Sequence, residues 1–84
     1  MAKNIPRSEE LHTIRTIMNT ENGRNFMMRC LSHCGTYDSV FDKDPLKHAY
    51  NSGSRDHGVW LERELKEAAS ESFLIMLREN ENGR

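Results

Sequence analysis

The run Tyr50-Asn51-Ser52-Gly53-Ser54-Arg55-Asp56-His57-Gly58-Val59-Trp60-Leu61 constrains this chain most, because it passes from turn-forming residues into a helical apolar pattern without a break. Leu61, Leu65 and Ala68 fall at i, i+4 and i+7, one face of a helix. Asn51, Ser52 or Ser54 is expected to cap that helix, with Asp56 near the positive end of its dipole. The helix is expected to run over about 53–68, with the only tryptophan, Trp60, near its start. His57 is expected on the core-facing side as a packing residue. Glu62, Arg63, Glu64, Lys66 and Glu67 make a solvated face on which Glu62 and Lys66 are ordered for a weak pair.

Eighty-four residues make one domain, close to the size at which a single core only just suffices, so partners are expected to contribute to stability. Twelve Lys and Arg stand against 13 Asp and Glu, a net charge of −1, which gives no basic field to attract nucleic acid non-specifically. The start Met1-Ala2-Lys3-Asn4-Ile5-Pro6 lacks the apolar run of a secretory signal, and no segment approaches the roughly 20 apolar residues of a membrane span. A cytosol-like compartment is expected. There Cys30 and Cys34 remain thiols, and a core-facing pair is the ordinary reading. The zinc alternative, with His33, His48 and His57 completing a tetrahedral set, lacks a second paired cluster, so no metal or cofactor is expected.

Taken in order, residues 1–7 are an extended lead-in, and Ser8 with Glu9 and Glu10 is expected to cap a helix over 9–18. Leu11, Ile14, Ile17 and Met18 form its apolar stripe, and His12 is expected to be exposed. Asn19-Thr20-Glu21-Asn22-Gly23 breaks that helix and offers Thr20 or Asn22 as the next cap. A second helix over 22–34 follows, with Phe26, Met27, Cys30, Leu31 and Cys34 as a two-column apolar face and Gly35 at the left-handed position that closes it. The two helices are expected to pack antiparallel and cover each other's stripes. Residues 35–51 lose both periods and read as a folded loop with Phe41 as its core anchor. Asp38, Asp42 and Asp44 fail the calcium-loop pattern, which needs a turn glycine and a twelfth-position glutamate. Arg55 could lock this loop by bonding its carbonyls or Asp38 or Asp42, or stand exposed at the helix start.

Beyond Ala69, Phe73-Leu74-Ile75-Met76-Leu77 are five consecutive apolar residues, more than one helix face holds. Either Ser70 and Glu71 cap a separate helix at 71–79, or the third helix runs on to Glu79. Residues 80–84 read as a frayed tail. The fold class is therefore all-α, a small single domain of three to four short helices with an irregular loop near 35–51. Trp60, Phe73, Leu74 and Leu77 are expected to contribute to a surface for another chain.

Gly23-Arg24 opening a helix, Cys34-Gly35 closing it, Phe41 in the loop and Asn51-x-Gly53-x-Arg55-Asp56-x-Gly58-x-Trp60-Leu61 opening the next resemble the Bbp19-like phage domain. That small podophage structural-cluster family was first named from a Bordetella phage protein. The resemblance covers residues 22–79, and Ala69-Ser70 departs from the acid and proline common there. It implies a non-enzymatic virion component or assembly protein of a short-tailed bacteriophage, near the portal, tail or DNA-ejection apparatus. Its partners would be other structural proteins or a copy of itself, with the protein in the virion and, during assembly, in the host cytoplasm. Arg24, Phe41, Arg55, Asp56, Trp60, Phe73, Leu74 and Leu77 are the structural or interface candidates. No catalytic residue is expected, because no Ser/His/Asp or Cys/His set and no phosphate loop is marked in the sequence. The alternative is a small phage regulator or host inhibitor, either a DNA-binding helix-turn-helix over 9–34 or a protein binder.

Overall fold

Asp44 and Pro45 decide where the main element starts. The Asp44 carboxylate accepts from the backbone N–H of Leu46 at 2.9 Å, and Pro45 takes the first helical position, where its missing N–H costs nothing. The computed structural model describes residues 3–81 and contains α1 (Arg7–Met18), α2 (Glu21–His33) and α3 (Pro45–Asn80), with no strand among them. The third helix therefore begins well before the expected Ser52 or Ser54. Asn51, Ser52 and Ser54 are interior residues and not caps, because the Asp-Pro pair upstream supplies the stop and start signals first. Of the expected tail at 80–84, Asn80 ends α3, and the residues after Glu81 lie outside the described part.

Other ends follow their local chemistry. Pro6 precedes α1 with no side-chain cap, so Ser8 does not cap it and lies inside the first turn. Thr20 caps α2 by accepting the Gly23 N–H at 3.0 Å. At the far end Gly35 adopts φ +68°, with Gly35 N–H donating to the Ser32 carbonyl and Thr36 N–H to the Leu31 carbonyl. That paired pattern closes a helix with a glycine in the left-handed region. Ala69, with φ −153° and ψ 64°, breaks the helical geometry of α3 one residue before the expected break. The Arg15 guanidinium enters there and donates to the Ala68 carbonyl at 2.8 Å, a side chain inserted into the helical ladder.

Contacts fix the packing. Arg24 near the start of α2 reaches Glu79, and Ser54 reaches the Cys34 carbonyl at α2's end, so α2 runs antiparallel to α3 across the break. Both α1 and α2 pack more extensively on α3 than on each other, so α3, more than the partner helix, covers the stripes that the two were expected to cover for each other. The core is Met18, Met28, Leu31, Leu65, Phe73 and Met76, with Ile14, Met27, Leu61, Ala69 and Leu77 against it. Phe26 turns outward and Met28 inward, because the Arg24 contacts set the rotation of α2. Every buried side-chain nitrogen and oxygen among the described residues has a hydrogen-bond partner.

Candidate interaction surface

The polar contacts build a frame and leave one helix face uncovered. Arg24 donates to both carboxylate oxygens of Glu79 at 2.9 Å and to the Met18 carbonyl at 3.2 Å, joining the α1–α2 corner to the end of α3. Arg7 donates to Glu64 at 2.7 and 2.8 Å and also bonds Glu67 and Glu10. Those hydrogen bonds hold the carboxyls of Glu64 and Glu79 below their ordinary value. Partial burial pushes the Glu62 carboxyl up, but bonds from the Tyr37 hydroxyl and Lys66 outweigh it, and the net shift is downward.

At the end of α2, Thr36 is buried against Gly58. A Cβ at Gly58 would stand 1.8 Å from Thr36 Oγ1 and 3.0 Å from Cys34 Cβ, so glycine is what lets the two backbones meet. The Thr36 hydroxyl donates to the Leu31 carbonyl at 2.7 Å, and Ser54 donates to the Cys34 carbonyl at 3.0 Å. Beyond this crossing α3 continues toward its N-terminus as an arm. There it meets the loop, where the Asn51 amide donates to the Val40 carbonyl at 3.5 Å and the His48 and Phe41 rings stand 6.3 Å apart at 76°.

The arm carries an apolar stripe. Leu46, Tyr50, Gly53, His57 and Trp60 lie within an arc of about 80° at 100° per residue. Leu46 is 82% exposed, Tyr50 76% and Trp60 59%. Gly53, Asp56, His57 and Trp60 line a shallow depression of ≈ 620 Å³. Gly53 has nothing within 4 Å of where a Cβ would be, so the fold of the single chain gives no reason for a glycine there. His57 thus faces solvent and not the core, because Ser54, Gly58, Leu61 and Leu65 already fill the inward side.

The expected site residues separate into three groups. Trp60 and Leu74 are exposed, and Leu77 is half-buried against the core. Phe73 is a core residue, 3% exposed, with the Lys66 ammonium 5.2 Å from its ring centre. Arg24 is the clamp described above. Phe41 does not anchor the loop: it is 73% exposed, and Thr36 makes the buried contact in its place. Arg55 and Asp56 are exposed, and the loop is held by Ser54, Asn51 and Tyr37 without a hydrogen bond from Arg55. Leu46 and Tyr50 lie within residues 35–51, expected to be loop, and the signal that places them on a helix is the Asp44-Pro45 start.

A family model described as Bbp19-like phage protein matches residues 14–78. The chain belongs to that family. The match takes in the α1–α2 corner, the Gly58 crossing, the exposed stripe and the broken end of α3. No curated protein and no solved structure matches the chain. Within this Bbp19-like chain Cys30 and Cys34 are free, and no three His, Cys, Asp or Glu side chains among the described residues are grouped to hold a metal ion. No helix among those residues is long and apolar enough to cross a membrane.

Proposed function

We propose that this Bbp19-like protein is a non-enzymatic component or assembly factor of a short-tailed phage particle, acting through protein–protein contacts near the portal, tail or ejection apparatus. The observation that supports it is the amount of large apolar surface left in water. Phe26, Leu46, Tyr50, Trp60 and Leu74 are all more than half exposed on outer helix faces. Scattered apolar residues are ordinary on a surface, but a continuous apolar stripe marks a binding face. The carboxylates with shifted acidity are engaged within the fold, Glu64 and Glu79 by arginines of the other helices and Glu62 by Tyr37 and Lys66. Membership of a phage family supplies the setting.

Affinity capture of the tagged protein from phage-infected cells tests this reading, with identification of what co-purifies. Recovery of portal, capsid or tail subunits, reduced by Leu74→Glu or Phe26→Glu, is the expected result. Recovery of phage or host DNA, or of one host enzyme in place of particle proteins, contradicts it and favours the regulator or inhibitor.

A further inference from the structure

We propose that the stripe on the α3 arm pairs with the same stripe of a second copy, giving an antiparallel, two-fold symmetric dimer whose axis passes at Gly53. A two-fold interface uses one patch twice, so residue i meets j while j meets i. The stripe has that self-complementary form. Leu46 and Trp60 stand seven residues to either side of Gly53, with Tyr50 three before it and His57 four after. Antiparallel pairing about Gly53 sets Leu46 of each copy against Trp60 of the other. It also brings each Tyr50 over the depression lined by Gly53, Asp56, His57 and Trp60 of the partner copy. There the ring gains an apolar wall and the phenol hydroxyl meets the Asp56 carboxylate, which takes no ion pair within its own chain among the described residues.

Gly53 itself is the second observation. Glycine inside a helix is unfavourable relative to alanine, and this one is not required by any neighbour in its own chain. At the centre of a helix crossing it lets two backbones approach closely. The extent of exposed surface agrees. The chain exposes 6567 Å², against about 5,200 Å² for a compact monomer of its 9.8 kDa. The excess exceeds the roughly 800 Å² per partner that a specific interface covers. Between Leu46 and Trp60 the stripe spans about 21 Å at 1.5 Å per residue, enough for one helix–helix contact. Because a two-fold contact closes on itself, pairing stops at two copies. The pairing does not depend on the particle assignment, and a dimer that never enters particles leaves it standing.

Sedimentation across a concentration series, read together with Trp60 fluorescence, tests the dimer in the intact chain. The expected result is a monomer–dimer equilibrium in which Trp60 emission moves to shorter wavelength as the dimer forms. Trp60→Ala and Gly53→Leu should each raise the dissociation constant at least about tenfold, equivalent to ~1.4 kcal/mol, with helical circular dichroism retained. Orientation is read separately by oxidation in a Cys30→Ser, Cys34→Ser background. Gly53→Cys should cross-link to its own copy, while Leu46→Cys, about 21 Å from its copy across the antiparallel axis, should not. A strict monomer with unchanged emission, a trimer or larger species, a dimer indifferent to Trp60→Ala, or efficient Leu46→Cys cross-linking would each overturn the proposal.

Discussion

Single residues divide by whether their neighbours leave them room. Gly23 and Gly58 sit where a Cβ would meet the Ile17 carbonyl oxygen or Thr36 Oγ1 at 1.8 Å. The first neighbour is backbone and the second is a buried hydroxyl already bonded to Leu31, so neither yields easily. Gly58→Ala is expected to destabilise the fold by about 1–3 kcal/mol as an overpacked contact. Gly53→Ala, measured in dilute protein where the chain is monomeric, should stabilise it by up to about 1 kcal/mol. Urea denaturation of the two variants beside the parent checks both signs, and equal effects would refute the distinction. From the sequence these glycines are alike, since the neighbours of Gly23 are set by the α1–α2 corner and those of Gly58 by the end of α2 against α3. Phe41 misleads as an anchor for a related reason: an aromatic in a loop anchors it only if the loop reaches the core with that residue, and here Thr36 is the buried one.

At the scale of elements, α3 is one helix in two pieces held by cations from the other two. Its break at Ala69 leaves the Ala68 carbonyl for Arg15, and Arg24 fastens the second piece through Glu79. Arg15→Ala is expected to lower the melting temperature by several degrees, through an unpaired carbonyl at the break, while leaving helix content nearly unchanged by circular dichroism. Acid should act on the same frame. Glu64 and Glu79 titrate below their ordinary value of 4.5 in the folded chain, through bonds from Arg7 and Arg24. A depressed folded value means that the stabilisation is fully present above 4.5 and is lost as pH falls through the folded values. The melting temperature should therefore decline below about pH 4.5, and Glu79→Gln should make that decline shallower. A melting temperature that is flat down to pH 3 contradicts this. Whether the helix breaks near residue 70 or runs on to Glu79 stays open in the sequence, and α3 combines the two, continuing to Asn80 with a kink at Ala69. The start of α3 was not legible, because only Leu46 and Tyr50 follow Asp44-Pro45 at helical spacing before Gly53, too few large apolar residues to mark a helix by period alone.

For the whole molecule, three helices make a flat body of 41 × 36 × 17 Å with a Cα radius of gyration of 14.3 Å. A compact chain of 84 residues has about 12 Å. The all-helical class and single domain were legible from stripe spacing and turn residues, whereas the shape was not, since periodicity marks an apolar face without saying whether the chain itself covers it. That distinction matters for Leu46, Tyr50 and Trp60, which have helical spacing and no cover. Such a body suits the proposed role as one part of a larger assembly, and the chain belongs to a phage protein family. Quantitative mass spectrometry of purified phage particles tests this most directly. The protein is expected in intact particles at a fixed ratio to a portal, tail or capsid subunit, preserved through successive purification steps; its absence from particles, while abundant in infected cells, would contradict the proposed role.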